Sequence, residues 1–305
     1  MDLSIIGQIA AVLTAVFWTF NSILFTTAGK KIGAISVNAY RIVAAVIFLI
    51  ITHIIIIGSF LPNASYDQWI WIGLSGIIGL GIGDFGLFES FVIIGPRRSL
   101  LIMSLSPLFA SIFAFIILNE TLSVLAIIGM IITIIGVIIV IIEKEEKSNE
   151  EKLTRNQKIW GISLALIGAI GQGTGTVFAK KGIYLDANLI LNPLSATLIR
   201  MILAAIFIWI CVIAAGKIPE LNRALKNKKG IRSTIAGAFL GPFIGVTLSM
   251  VAVTFTEIGV AQTLMSLMPV MIIPIVFILY KQKTSFRGIF GAIIAIIGVS
   301  ILFLI

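Results

Sequence analysis

Charged side chains are scarce in this sequence, and their scarcity excludes a soluble fold. Only 11% of the 305 residues are Asp, Glu, Lys or Arg, whereas 59% are hydrophobic, and the mean hydropathy is +1.15. A chain with so little polar surface cannot cover a water-soluble core. We therefore expect an integral membrane protein whose partners include membrane lipid.

Side chains that build disulfides, metal centres and nucleophilic sites are almost absent as well. Cys211 is the only cysteine and His53 the only histidine, so neither an intramolecular disulfide nor a Cys/His metal cluster is available. The segment Gly81–Gly86 matches the dinucleotide fingerprint formally, but it lies in an apolar run without a preceding strand, and no Walker A motif occurs. We expect no cofactor, no metal and no enzymatic activity.

Long hydrophobic runs are what the sequence does contain. A bilayer core of roughly 30 Å needs about 20 apolar residues per helix, and in lipid each run must be helical because its backbone polar groups must pair internally. We number the runs as spans 1 to 10. They cover residues 4–26, 36–58, 68–91, 99–118, 122–142, 159–179, 193–215, 232–253, 259–280 and 286–305. The predicted fold is all-α, with ten transmembrane helices.

The ten spans fall into two similar halves. Residues of the first half align with the second at shifts of 162 and 159 positions. The aligned pairs are Pro107 with Pro269, Gly129 with Gly291, Gly136 with Gly298, and Arg41 with Arg200. Five spans per half, an odd number, place the halves in opposite orientations. We predict two inverted five-helix repeats, residues 1–142 and 159–305, joined by a charged linker at 143–158, an organisation typical of transporters.

The net charge of +9 is a topology signal rather than a nucleic-acid signal. If the amino terminus lies on side A, 18 of the 22 basic residues lie on side B, and only Lys180 and Lys181 lie on side A. Cytoplasmic loops carry the excess of basic residues. The count therefore predicts a cytoplasmic side B, with both termini outside, and no nucleic acid as a partner.

Charged residues inside the spans are expensive in lipid and normally have partners. Arg41, Asp84 and Glu89 lie toward side B, whereas Arg200 and Glu257 lie toward side A. We predict two ion pairs, Arg41 with Glu89 or Asp84, and Arg200 with Glu257. They serve either as fixed links between helices or as gates that close each face in turn.

Asp84 is the most informative of these acidic residues, because its aligned position in the second half is Val246. A carboxylate in a low dielectric can take up a proton or meet a cationic group. The alternative role is a salt bridge with Arg41, Arg97 or Arg98.

Uncharged polar residues cluster in spans 1, 4, 6 and 9. The clusters are Thr19, Asn21 and Ser22; Ser104 and Ser106; Gln172, Thr174 and Thr176; and Gln262, Thr263 and Ser266. Hydrogen bonds between neighbouring helices are one explanation for them. Together with Trp18, Phe88, Met103 and Met265 they also have the composition of a cavity lining.

These features resemble the EamA-type proteins of the drug/metabolite transporter superfamily. The resemblance rests on a proline in span 4, the turn Asn119–Thr121, and the glycines at 129 and 136, with the proline and glycines repeated in the second half. It implies two inverted five-helix bundles around a central cavity, with spans 5 and 10 at the periphery. The implied cavity residues are Trp18, Asn21, Asp84, Met103, Gln172, Thr174, Gln262 and Ser266.

Three features depart from the pattern of such proteins. The second half reads Lys281-Gln282-Lys283 where the first has Asn119-Glu120-Thr121, so the turn carboxylate, for which helix capping is one role, occurs once only. Span 1 has no acidic residue where four-helix multidrug relatives carry a proton-exchanging glutamate, and offers Asn21 instead. Ten-helix bacterial relatives are usually described with cytoplasmic termini, whereas the basic residues here indicate the reverse.

The functional hypothesis is a secondary active transporter in the plasma membrane that exports a small polar or amphipathic metabolite by alternating access. The coupling partner is either the proton or a counter-solute, and the chain is either a monomer or a homo-oligomer. An intramembrane enzyme and a membrane scaffold are the alternatives. The enzyme lacks a nucleophile paired with a base, and a scaffold leaves the polar clusters unexplained.

Overall fold

The structure is a computed structural model that describes residues 2–94, 99, 102–142, 154–185, 190–268, 270–271 and 286–303. These residues form helices and connecting turns, and no strand occurs among them. The α-helices are α1 Leu3–Ile32, α2 Ala34–Ile57, α3 Tyr66–Gly76, α4 Asp84–Ile93, α5 Ser106–Leu118, α6 Val124–Ile142, α7 Arg155–Ile183, α8 Pro193–Ala214, α9 Ile218–Leu225, α10 Lys228–Ala238, α11 Val246–Phe255, α12 Ile258–Met265 and α13 Phe286–Leu302.

The helices account for the predicted spans to different extents. Spans 1, 2, 3, 6, 7 and 8 correspond to six helical stretches that are long and apolar enough to cross a membrane. Spans 4, 5 and 10 appear as the shorter apolar helices α5, α6 and α13. Most of span 9 beyond α12, the loop with Arg97 and Arg98, and linker residues 143–153 lie outside the described residues.

Capping residues define where several helices begin. At α3 the backbone N–H of Gln68 donates to Ser65 Oγ at 3.3 Å, and the backbone N–H of Ser65 donates to Gln68 Oε1 at 2.9 Å. Thr154 and Gln157 form the same capping box at α7. Gly33 separates α1 from α2 with a φ of 79°, a conformation that glycine adopts without strain.

The basic segment between spans 7 and 8 is largely helical. Residues Leu221–Arg232 include the end of α9 and the start of α10. Pro219 near the start of α9 suits a helix N-terminus, where the missing N–H costs nothing. Leu221 and Ala224 of α9 are buried, so the helix docks on the bundle with one apolar face.

Spans 3 and 8 are each interrupted by a π-helical segment at the same relative position. We name them π1, Ile77–Gly83, between α3 and α4, and π2, Phe239–Gly245, between α10 and α11. Their separation of 162 residues equals the shift that aligns the two halves of the sequence. Widened turns of this kind are rare and often occur at functional sites.

Helices α6 and α13 pack together through the glycines that align between the halves. A Cβ added to Gly136 would lie 2.7 Å from the carbonyl oxygen of Gly291, and one added to Gly129 would lie 3.1 Å from that of Gly298. Glycine therefore permits the backbones of these helices to touch. Each glycine contacts the counterpart of the other, the reciprocal arrangement that a two-fold relation between the halves produces.

The remaining contacts position the centre of the molecule. Helix α1 packs on α10, π2 and α11, and α7 packs on α3, π1 and α4. Helices α2 and α8 pack on each other. Spans 1 and 6 thus each lie against the broken span of the opposite half.

Candidate functional site

Arg41 of α2 forms an ion pair with Asp84, the first residue after π1. Arg41 Nη2 donates to Asp84 Oδ2 at 2.5 Å, and Arg41 Nε donates to Asn38 Oδ1 at 2.8 Å. The guanidinium also lies over the Phe88 ring, 5.1 Å from its centroid. Of the two predicted carboxylates Asp84 is the partner, because Arg41 and Glu89, both described, form no ion pair. The Arg41 and Asp84 side chains are only 6% and 18% exposed, so water screens the pair weakly.

Arg200 of α8 does not form the predicted pair with Glu257 in this structure. Arg200 is 1% exposed, and its Nη1 contacts the thioether sulfur of Met250 at 3.2 Å. Its Nε has no acceptor among the described residues. Prediction from depth in the membrane failed here because it gives a residue's height but not the direction in which its side chain points.

The two arginines occupy corresponding positions but have different partners. Arg41 contacts Phe88, and Arg200 contacts Met250, which is the residue aligned with Phe88 at the 162 shift. The position aligned with Asp84 is Val246, which is buried and apolar. The described part of the interior thus holds two guanidinium groups, and a carboxylate pairs with only the first.

The predicted polar residues of spans 6 and 9 meet at one point. Gln262 of α12 is buried, and its Nε2 donates to Thr176 Oγ1 at 2.9 Å. Gln172 is half-buried one turn earlier on α7, and the Thr174 hydroxyl is buried without a partner in the described chain. Ser266, half-buried at the end of α12, donates back to the Thr263 carbonyl oxygen at 2.8 Å. The hydrogen bonds of Gln262 and Ser266 fit the explanation by contacts within and between helices, and the cavity lining stays a prediction.

The predicted residues of span 1 contact π2. A Cβ on Gly241 would fall 1.8 Å from Asn21 Nδ2, and one on Gly245 would fall 2.7 Å from the Trp18 indole. Both side chains are half-buried. In the opposite half π1 contacts the backbone of α7 instead, so large side chains separate α1 from π2 where glycines let α7 touch π1.

Met103 lies against α7 at Gly168, one turn before Gln172. A Cβ on Gly168 would be 3.3 Å from the Met103 sulfur, and Met103 itself is half-buried. The eight predicted cavity residues are therefore distributed along the central helices, where seven are half-buried and Gln262 is buried.

A set of contacts on side A that the sequence did not predict joins three connections. Lys180 of α7 forms an ion pair with Glu120 in the turn after α5, and Lys180 Nζ donates to the Thr256 carbonyl oxygen at 2.8 Å. Glu120 Oε2 accepts from the Ile258 amide at 3.0 Å, which caps α12. We call Glu120, Lys180, Thr256 and Ile258 the side A latch. The signal was present, because Lys180 is one of only two basic residues expected on that side.

Tyr184, just beyond α7, adds a further link on side A. Its hydroxyl donates to the Thr254 carbonyl oxygen at 2.6 Å. Partial burial, and secondarily the negative charge of Glu120, raises the pKa of Tyr184 above its ordinary 10.0. The phenol therefore stays a neutral donor throughout the physiological pH range.

The single histidine lies in contacts between elements of the bundle. No cluster of three or more metal-ligating side chains occurs among the described residues. His53 is buried between helices, with Nε2 at 2.9 Å from Ser195 Oγ and Nδ1 at 2.7 Å from the Ser59 carbonyl oxygen. Both ring nitrogens are thus engaged in structural contacts.

The fold and the sequence of this chain both match known proteins. Among solved structures 29 chains match, and one crystal structure aligns with a TM-score of 0.74 at 13% identity, over 98% of this chain and 96% of that one. Identity at this level establishes a shared fold only. No protein with a curated description matches. The sequence profile of the EamA-like transporter family matches twice, over residues 5–142 and 159–304. The chain belongs to the EamA-like transporter family, within the drug/metabolite transporter superfamily, and is a multi-pass membrane transporter.

Proposed function

We propose that this protein is a secondary active transporter that exports a small polar or amphipathic metabolite across the plasma membrane by alternating access. Its two inverted five-helix repeats, residues 1–142 and 159–305 with the linker 143–158, move against each other around a midplane site. The observation that carries the proposal is the pair of π segments at corresponding positions, with a buried charge pair beside one of them only. Broken spans that line a binding site are characteristic of secondary transporters.

The solute site lies between the π segments and the helices packed on them. Trp18 and Asn21 on α1, Gln172 and Thr174 on α7, and Gln262 on α12 supply a mixture of aromatic surface and hydrogen-bonding groups. Asp84, Met103 and Ser266 complete the set. Such a combination of apolar walls with a few polar groups suits a small amphipathic molecule better than an ion.

Two contacts on opposite sides of this site act as gates. The pair of Arg41 and Asp84 joins span 2 to span 3 toward side B, and the pair of Lys180 and Glu120 joins α7 to the α5–α6 turn at side A. Opening either face requires its pair to separate. The gating role of Glu89, Arg200 and Glu257 stays a prediction, and in the present state none of the three belongs to an ion pair within the described chain.

Asp84 couples the cycle to the proton. Because Arg41 stabilises the ionised carboxylate, the ion pair and a protonated Asp84 are mutually exclusive states. A proton that reaches Asp84 releases Arg41 and thereby favours opening toward side B. The competing mode is exchange against a counter-solute, in which the ion pair opens without protonation.

The test is uptake into proteoliposomes. Purified protein is reconstituted, and pooled radiolabelled amino acids, nucleosides and organic cations are offered with and without a pH gradient. We expect saturable uptake of at least one pool, stimulated by the gradient. Asp84→Asn should abolish the stimulation while leaving the protein folded. Asp67→Asn, at an exposed position of the same span, is the matched control and should behave as wild type.

Each outcome has a definite meaning. Stimulation that survives in Asp84→Asn would remove Asp84 from coupling. Gradient-independent uptake that requires internal solute would establish exchange instead. Recovery of a chemically altered product would favour an enzyme, and saturable uptake of no pool would contradict transport.

A further inference from the structure

Arg200 is the group in the described interior that lacks a compensating partner. A buried charge without a counter-charge is strongly unfavourable, yet Arg200 is 1% exposed and contacts a thioether rather than a carboxylate. Asp84 is committed to Arg41 at 2.5 Å. Glu89 lies five residues beyond Asp84 along α4 and is not within ion-pair distance of either arginine.

The guanidinium of Arg200 lies against the midplane element π1. A Cβ on Gly79 would be 3.2 Å from Arg200 Nη2, and Gly79 belongs to the part of π1 that packs on Gly175 of α7. Arg200 is therefore near the helices that carry the predicted cavity residues, although its own backbone is near the side A end of α8.

A second unsatisfied donor lies on α3, which packs on α8. The Ser75 hydroxyl, one helical turn before Gly79, is buried and has no partner in the described chain, like Arg200 Nε. Ser75 precedes Gly76, whose added Cβ would lie 2.2 Å from the Arg200 carbonyl oxygen. Buried donors are normally satisfied, so unsatisfied donors on both of these packed helices suit an anionic ligand.

We propose that Arg200 binds a monoanionic carboxylate of the transported solute, with Ser75 as an additional donor. The inference deepens the proposed transport function and rests on it. No carboxylate of the described chain lies within ion-pair distance of Arg200, so one negative charge would neutralise this guanidinium, whereas a dianionic phosphate would leave an excess of negative charge. The carboxylate reaches Arg200 when π1 separates from α8, in a state more open than the present one.

Asp84 is the competing occupant of Arg200, since it is the interior carboxylate that already pairs with the corresponding arginine, Arg41. If the aspartate alone satisfied Arg200 in another state, a solute carboxylate would bring no advantage. The two explanations differ in whether the charge of the solute matters.

The experiment compares carboxylates with their amides in wild-type proteoliposomes. Pool one contains radiolabelled α-amino acids and short monocarboxylates, pool two the corresponding amides, and pool three nucleosides and organic cations. We expect saturable uptake of pool one, with an affinity about 10- to 100-fold above that for pool two, the range that a charge-assisted hydrogen bond provides. Equal uptake of acids and amides would overturn the proposal.

Variants assign the effect to Arg200. Arg200→Gln should raise KM for the acids by about the same factor and leave the amides unchanged, and Arg200→Lys should restore part of the preference. Arg232→Gln, an exposed arginine of α10, is the control for loss of positive charge. If Arg200→Gln does not fold, the wild-type comparison of acids with amides decides alone.

The uptake results distinguish failure of the carboxylate site from failure of the transport function. Uptake of pool three without pool one would overturn the carboxylate site while transport stands. Uptake of no pool would overturn transport and the carboxylate site with it.

Discussion

At the scale of single residues, the interior depends on glycines that bring helix backbones into contact. Gly76 of α3 is the clearest case, because its Cα faces the backbone of α8 beside Arg200. No side-chain movement can relieve a clash with a main-chain carbonyl. Small residues at such places replace the hydrophobic driving force that is absent between helices in lipid.

Gly76→Ala should therefore destabilise the protein strongly. The added Cβ would lie 2.2 Å from the Arg200 carbonyl oxygen, so the helices must separate. We expect a cost of about 1–3 kcal/mol, the usual range for overpacking. The measurement is the melting temperature in detergent. Gly29→Ala is the control, because a Cβ there meets nothing within 4 Å, and better helix propensity should hold or raise its stability. Equal melting temperatures for both variants would contradict the assigned contact.

Residue roles were only partly predictable from the sequence. The sequence identified Arg41, Asp84 and Arg200 as important because charges in apolar spans are rare. It left two carboxylates open for Arg41 and assigned Glu257 to Arg200, which has no carboxylate in contact within the described chain. Hydropathy gives the depth of a residue, whereas pairing depends on the rotation of each helix about its axis, which only packing determines.

At the scale of elements, the side A latch ties the C-terminal end of α7 to the turns before α6 and α12. Lys180 and Glu120 are 14% and 17% exposed, so this ion pair is shielded from solvent. By contrast the exposed pair of Lys217 and Glu220 on side B, at 3.5 Å, should contribute little.

Glu120→Gln should loosen the latch without removing the α12 cap, because glutamine keeps an oxygen for the Ile258 amide. In a Cys211→Ser background with Thr263→Cys as a buried reporter, we expect a several-fold faster reaction with a water-soluble maleimide from side A. Glu220→Gln, which breaks the exposed pair, serves as the control and should not change the rate. An unaltered rate in Glu120→Gln would exclude the latch as a gate.

The π segments are the elements that the sequence did not indicate. Hydropathy detects spans 3 and 8 as apolar helices, but a widened turn leaves the overall apolar composition unchanged. The glycines at 79, 83, 241 and 245 align at the 162 shift, and each lies within a π segment. Helix α7 packs against π1, and α1 packs against π2.

Pro242 gives a test of the role of π2. Proline inside a helix lacks the N–H that would close an ordinary turn, and its counterpart in π1 is Leu80. Pro242→Ala should let the segment tighten, so we expect an equal or higher melting temperature together with slower transport. Leu80→Ala is the comparison at the aligned position and should lower stability by cavity formation. Undiminished transport in Pro242→Ala would show that the widened turn is dispensable.

At the scale of the whole molecule, two similar halves meet through reciprocal contacts. The exchange of partners between Gly129, Gly136, Gly291 and Gly298, and the packing of α1 and α7 on opposite broken spans, fit the arrangement that the repeated sequence predicts. The sequence predicts one helix over span 9, and most of that span beyond α12 lies outside the described residues.

The orientation in the membrane follows from the 18 basic residues on side B and is a prediction in its own right. In the Cys211→Ser background, Asn63→Cys lies in the exposed α2–α3 connection on side A, and Lys226→Cys lies in the exposed α9–α10 connection on side B. An impermeant maleimide should label the first in intact cells and the second only after permeabilisation. The opposite labelling pattern would place the termini in the cytoplasm.

Alternating access requires the midplane site to face each side of the membrane in turn, and a cysteine placed at that site reports which side it faces. Ser266 is half-buried near the predicted cavity, so Ser266→Cys in the Cys211→Ser background reports access to the midplane. The measurement is its rate of modification by an impermeant thiol reagent applied to either face of oriented vesicles, with Asn63→Cys as the one-sided control. Alternating access predicts that the thiol is modified from both faces and that solute changes the ratio of the two rates. Modification from one face only, whatever solute is present, would contradict it.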